Sequence, residues 1–359
     1  MGIVTPAAQK KIDAEKERTA VKATVFLPGI RQHAAQHRID AEKERTAVKA
    51  TVFLPGMRQH AVNVEQRITP RKIEKSGTNS RMYTIVLHHP ARPVNCLIRT
   101  LEALRGATAG DDHVVDVIVQ GTKDDTYGYP KEVDGYHLRY CEVGSNIGIG
   151  GGFKLGVERF LQTDAKWLAK IDDDIAVSRR GWDILAGIIE YERTENGRKL
   201  GASMMSTGRT RTRLLCESKS PNGLNIIDVV DGDRGCGQSE MFGRQVTWKL
   251  TDFSDVGCTI FPRELFESGC LPDEELHVGG IGLDLVYQGN QRGFNWSVCC
   301  SPLCDHFGAD CHNMQYTSVR NNKDTYIRSH LHFYKKWGVV PMPLARAAGM
   351  VRKYGKVHV

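Results

Sequence analysis

No apolar run in this 359-residue chain approaches the roughly 20 residues that a membrane-spanning helix needs, so a bilayer-embedded protein is not expected. The N-terminus lacks the basic, apolar and small-residue layout of a secretory signal, and a cytoplasmic protein is expected. Ten cysteines fall without regular spacing and are expected to be reduced thiols rather than a disulfide framework. The set that comes nearest to zinc ligation is Cys299, Cys300, Cys304, Cys311 and His312. It lacks the paired C-x2-C knuckle, so buried thiols are the better reading. No Gly-Lys-Ser/Thr follows the glycines at 148–152, which excludes a Walker loop. A dinucleotide fingerprint begun at Gly148 meets Phe153 where its third glycine belongs.

What is present fits a globular protein: 40% of residues are hydrophobic and 25% charged. The length suits one large α/β domain with appendages. The net charge of +7 divides into +8 for residues 1–81, −9 for 82–319 and +8 for 320–359. An acidic centre between basic ends suits a metal-using core flanked by surfaces for a polyanion; basic tails that merely keep the chain in solution fit equally well. Residues 7–33 recur at 34–60 with three of 27 positions changed, Lys10/His37, Lys11/Arg38 and Ile30/Met57. Solenoid repeats diverge on their surfaces, so near-identity on every face indicates a duplicated segment instead. The expected organisation is a duplicated extension over 1–62, a polar linker over 63–81, a main domain over 82–319 and a basic helical segment over 320–359.

From Met82 the pattern alternates between strands and helices. Tyr83–Leu87 reads as a strand, Pro93–Arg105 as a helix with Leu97, Leu101 and Leu104 on one face, and Val114–Val119 as a second strand. Tyr136–Val143 is a third strand, a helix opens in the glycine stretch and runs to Leu161, and Trp167–Ile171 is a fourth strand. Alternation of this kind predicts an α/β fold, a mixed and mostly parallel sheet with helices on both faces. Ligands of such sheets sit beyond the carboxyl ends of the strands, where His88, Gln120, Asn146 and Asp172-Asp173-Asp174 all fall. Three adjacent carboxylates repel one another, and a divalent cation such as Mg2+ or Mn2+, shared with phosphate oxygens, would neutralise them.

The stretch from Asn146 to Gly156 follows N-x-G-x-x-x-G-x-N-x-G except for Lys154, and Asp172–Asp174 ends the next strand. In this order the motifs resemble the family 2 glycosyltransferases of GT-A fold, a Rossmann-like architecture, over roughly residues 82–337. Further on, Val256–Phe266 looks like that family's acceptor-side strand with a Pro-Arg-Glu turn, and Gly279–Leu285 looks like the start of its base-bearing helix. The resemblance implies a metal-dependent, inverting transfer of a hexose-like sugar from a nucleotide sugar, most naturally a UDP-sugar, to a hydroxyl.

The same resemblance implies the site. His88, Gln120, Asp124, Asn146, Gly148, Gly151, Gly152, Lys154, Asp172 and Asp173 would line the nucleotide-sugar pocket. Lys154, where the family often has Asn, either meets a phosphate or is simply exposed. Asp172, Asp174 and His306 would hold the metal, with Asp172 facing either the ribose or the ion; an imidazole ligand suits Mn2+ better than Mg2+. Asp284 would be the base, although Leu283 stands where the family has a first acid, which keeps Glu274 and Glu275 as alternatives. The acceptor is open. The basic segment over 320–359, with its aromatics, suits either a helix packing back on the domain or a hold on DNA. The sequence therefore leaves room for glycosylation of modified DNA bases, or for a nucleic-acid-binding protein on an inactive scaffold of this fold.

Overall fold

The computed structural model describes residues 82–109, 113–121, 128–206, 213–219, 225–252, 256–308 and 323–341. The expected extension and linker, and Cys311 and His312, lie outside the described residues. Strand β1 (Met82–His88) is followed by α1 (Val94–Leu104), β2 (His113–Val119), β3 (His137–Glu142), α2 (Gly148–Leu161) and β4 (Trp167–Asp172). Then come β5 (Ile175–Val177), α3 (Gly181–Thr194), β6 (Leu200–Met205), β7 (Arg213–Lys219), β8 (Asn225–Asp231), β9 (Cys236–Met241) and β10 (Arg244–Thr251). The chain continues through β11 (Cys258–Pro262), α4 (Arg263–Glu267), α5 (Ile281–Asn290), β12 (Asn295–Cys299), β13 (Cys304–His306), α6 (Lys323–Trp337) and β14 (Val340–Pro341).

Nine of these strands make one sheet in the order β3-β2-β1-β4-β11-β6-β12-β10-β9. Seven of the nine point the same way; β10 and β11 run against them. The mixed, mostly parallel sheet expected from the alternation is therefore present. Its central strands are near-continuous apolar runs because they are covered on both faces, as β1 and β2 are along their whole length.

Two cores lie on the two faces of the sheet. One gathers Leu97, Leu101 and Leu104 of α1 with Trp182 and Ile188 of α3. The other gathers Phe153 and Phe160 of α2, Leu265 and Phe266 of α4, Leu285 of α5 and Phe333 of α6. Each fully buried Leu or Phe here contributes roughly 1.5–3 kcal/mol of transfer free energy. A buried polar knot fastens α2 to the sheet: Asp116 of β2 accepts from Tyr83, from Arg139 Nε at 2.5 Å and from Arg159 Nε of α2 at 2.5 Å.

The reading of the cysteines needs one correction. Cys96, on α1, is disulfide-bonded, whereas Cys141, Cys216, Cys236, Cys258, Cys270, Cys299, Cys300 and Cys304 are in the thiol form. Irregular spacing in the sequence could not reveal a single bridge, because spacing carries no distance information.

Candidate active site

Strand register brings the predicted residues together. Leu87 pairs with Asp172 across β1 and β4, and His88 pairs with Val119 across β1 and β2. The N–H of Gln120 donates to the carbonyl of His88 at 2.9 Å. The carboxyl ends of β1, β2 and β4 thus form one edge, carrying His88, Gln120 and Asp172. The chain turns through Asp173 and Asp174 into β5, and β13 pairs antiparallel with β5 so that His306 stands opposite Ile175. That pairing carries His306 to Asp174 across 132 positions of sequence, with Nε2 3.2 Å from Oδ2.

The three aspartates have three different environments. Asp173 is buried: its Oδ2 lies 2.6 Å from Nδ1 of His88, and Arg92 donates to its Oδ1. Asp174 is buried too, and its Oδ2 accepts from Arg92 Nη2 at 2.8 Å as well as facing His306. Asp172 is 41% exposed and is gripped by the ammonium of Lys170, which is itself buried in β4. Behind His88, Nε2 meets the Tyr129 hydroxyl at 3.1 Å, completing a chain Tyr129–His88–Asp173–Arg92–Asp174–His306. With Nδ1–H donated to the carboxylate, Nε2 is left to face the Tyr129 hydroxyl, a group that can donate or accept. Burial alone would raise the Asp173 pKa, but the hydrogen bonds and charges of His88 and Arg92 outweigh it and hold the carboxyl below its usual value.

A divalent cation fits part of this arrangement. Asp174 and His306 converge, and Gly308 leaves the space beside them open: a Cβ there would come within 2.7 Å of Asp174 Oδ2 and 2.8 Å of His306 Nε2. One carboxylate and one imidazole suit an ion whose remaining positions go to phosphate oxygens and water. Asp172 does not join them, and no group of three His, Cys, Asp or Glu donors gathers among the described residues. Arg92 stands on the same oxygen that an ion would use.

The glycine stretch is filled by the chain itself. Asn146 Oδ1 accepts the N–H of Gly148 at 2.9 Å. The next two N–H groups of α2, from Ile149 and Gly150, go to the carbonyls of His277 at 2.9 Å and Leu276 at 3.2 Å. A Cβ on Gly150 would sit 2.7 Å from the Leu276 carbonyl, so the glycine there permits a close approach by segment 273–277. Gly151 lies against Ile147, and Gly152 lies against Leu87 and the side-chain amide of Gln120. Lys154 pairs with Glu274 at 2.9 Å. Asp124 lies outside the described residues.

A second acidic group lies at the start of α5. Asp284 is in the first turn, as expected, and is fully buried. Its Oδ2 accepts from Gln288 at 2.7 Å, and its Oδ1 from the indole N–H of Trp337 at 2.7 Å and from Lys336 at 2.7 Å. Burial raises its pKa against the lowering effect of Lys336 and Trp337. Lys336 also reaches Asp273 at 2.8 Å, and His332 meets Asp273 at 3.0 Å. The described part of the basic C-terminal segment therefore packs back on the domain and spends these cations on its own acids. Beside it a cavity of 310 Å³ is lined by Lys154, Asp273, Glu274, Glu275, Gln288 and Lys336.

Sequence reasoning missed Arg92, Lys170, Tyr129 and Gly308. A lysine inside an apolar strand, two residues before an acidic run, was the visible signal for Lys170. Arg92 and Gly308 gave none, because they join the site through the turn after β1 and the chain beyond β13.

No family model and no curated protein matches the chain. Among solved structures, it is similar to GalNAc-T7 with UDP, GalNAc and Mn2+, at 13% identity and a TM-score of 0.45, over 63% of this chain and 44% of that one. It is also similar to S. aureus TarS 1–349, at 10% identity and a TM-score of 0.41, over 64% of this chain and 61% of that one. The same fragment in complex with UDP gives a TM-score of 0.40 at 10% identity, over 63% and 60% of the two chains. The chain thus spans less than two thirds of each. Among the described residues no helix is long and apolar enough to cross a membrane.

Proposed function

We propose that this protein is a glycosyltransferase of GT-A fold that moves a sugar, hexose-like, from a nucleotide sugar to a hydroxyl acceptor, with a UDP-sugar as the first donor to test. The observation that supports the reading best is the meeting of His88, Gln120, Asp172–Asp174 and His306, delivered by four separate segments to one sheet edge. Such an edge is where α/β sheets bind ligands.

In this reading Asp174 and His306 hold the divalent ion, Mn2+ or Mg2+, which when bound neutralises charge on the departing diphosphate. Asp172, the one exposed aspartate, faces the ribose. Gln120 and Asn146 border the nucleotide, together with Asp124. Direct displacement with inversion needs a carboxylate to take the acceptor's proton. Asp284 is the proposed base on one condition: Trp337 and Lys336 must withdraw from it when the acceptor binds. Glu275, exposed beside the 310 Å³ cavity, and its neighbour Glu274 are the alternatives that need no such movement.

The test is a panel of nucleotide sugars scored by thermal stabilisation with and without Mn2+, followed by product detection. One donor should raise the melting temperature in the presence of Mn2+, and Asp174→Asn should remove that rise. A panel in which no donor stabilises the protein under either condition overturns the reading.

A further inference from the structure

Charge balance at the aspartates singles out a residue that no motif marks. Asp173 and Asp174 are both nearly sealed from solvent, and so is Arg92, with side-chain exposures of 4%, 3% and 4%. Two buried carboxylates side by side are tenable only with compensation from within the chain or from an ion. Arg92 supplies it, one arm of the guanidinium on Asp173 Oδ1 and the other, at 2.8 Å, on Asp174 Oδ2. The Asp174 oxygen it occupies is the one that faces His306. A guanidinium stays protonated at every accessible pH, so this cation cannot step aside by losing its proton.

We propose that Arg92 is the resident cation of the aspartate cluster, a positioning residue that fixes Asp173 against His88 and sets how weakly a divalent ion binds at Asp174 and His306. An arriving ion meets a carboxylate already half neutralised, with a like charge beside it. Donor diphosphate would then be needed to add ligands and make binding favourable, so the ion and the nucleotide would bind together rather than in sequence. The proposal rests on Asp174 and His306 as the ion's ligands and is independent of which donor or acceptor the protein uses.

The experiment is a Mn2+ titration of the full chain without nucleotide, read by the loss of free Mn2+ signal in electron paramagnetic resonance. Arg92→Met should bind Mn2+ about tenfold or more tighter than the unaltered protein, the order expected when one unit charge beside the ion is removed. Arg92→Lys keeps the charge and should bind like the unaltered protein. Adding His306→Ala to Arg92→Met should abolish the gain. Should Arg92→Met fail to fold, Arg92→Gln, which keeps amide donors toward the carboxylates but carries no charge, should show the same gain. Unchanged, weaker or undetectable Mn2+ binding in a folded Arg92→Met or Arg92→Gln variant overturns the proposal, as does a gain that survives loss of His306. A merely structural arginine would lower the melting temperature without tightening Mn2+. The glycosyltransferase reading stands or falls separately, on the donor panel.

Discussion

The aspartates at the end of β4 and those around α5 solve one problem with different parts. In both places carboxylates withdrawn from solvent are answered by donors of the chain. At Asp173 and Asp174 the answer comes from Arg92 and His88, which belong to β1 and the turn after it, next to β4 in the same sheet. At Asp273 and Asp284 it comes from Lys336, His332 and Trp337, on a helix at the far end of the described chain. The first arrangement is part of the sheet's own framework; the second depends on a docked element. The largest expected effect separates them. Asp173→Ala should destabilise the protein by about 3–5 kcal/mol, because it breaks a buried charge network. Asp273→Ala, whose partner Lys336 is 30% exposed, should cost about 1 kcal/mol or less. Urea unfolding of the two variants checks the ratio, and equal losses would erase the distinction.

If α6 is a docked element, loosening it should free Asp284 without melting the sheet. Trp337→Phe removes one hydrogen bond to a buried carboxylate and should cost about 1.5–3 kcal/mol. Hydrogen exchange should show the loss in α5 and α6 and leave β1, β2 and β4 protected. Val340 and Pro341 of β14 still pair with Ile226 and Ile227 of β8, so the helix should stay tethered. Exchange rising equally through the central strands would show that α6 is part of the same cooperative unit.

The framework region was the legible one. Tyr83–Leu87, Val114–Val119 and Trp167–Ile171 read as strands because buried parallel strands are unbroken apolar runs, and the observed elements extend each by a residue at one end or both. The polar residues that follow those runs were correctly expected at one edge, since parallel register aligns strand ends. Residues 178–255 were not read at all. They hold α3 and the antiparallel strands β9, whose exposed and half-buried positions alternate, and β10, which is partly exposed, and their pairing is not local to any motif. Strand β12, Asn295–Cys299, is buried continuously from Trp296 onward, Ser297 included, so no alternation marks it in the sequence. Partnerships inside the site were illegible for another reason: Arg92 with Asp174, and Trp337 with Asp284, are separated by 82 and 53 positions and depend on packing alone.

Acid should move the two regions in opposite directions. Asp173 has a folded-state pKa below the ordinary 3.8, since burial is outweighed by His88 and Arg92. Its contribution to stability is present above the unfolded value and is lost as pH falls through the folded one. Asp284 has a folded-state pKa above 3.8, chiefly from burial. Its contribution is full below the unfolded value and is lost as pH rises through the folded one. Asp173→Asn should therefore flatten the fall in stability on acidification, whereas Asp284→Asn should remove a loss that develops above 3.8. Urea midpoints measured on both sides of that pH test the signs, and two variants that bend the profile the same way would contradict them.

The smallest expected change in stability is also the sharpest test of which region is built for a ligand. Gly308 sits where a Cβ would press on Asp174 Oδ2 and His306 Nε2. Its backbone is not among the glycines held at positive φ, so alanine is conformationally tolerated there. Alanine also restricts the unfolded chain, a gain of about 0.4–1 kcal/mol that offsets the contact. The His306 ring, 45% exposed, can yield, whereas Asp174 is held by Arg92. Gly308→Ala should thus leave the melting temperature nearly unchanged while separating Asp174 from His306 and weakening Mn2+-dependent stabilisation by the donor. The matching change in the other region, Lys154→Ala, breaks an exposed pair with Glu274 and should alter neither stability nor Mn2+ dependence measurably. If Gly308→Ala retains full Mn2+-dependent stabilisation, the space beside Asp174 is not used by an ion, and the two acidic regions are alike after all.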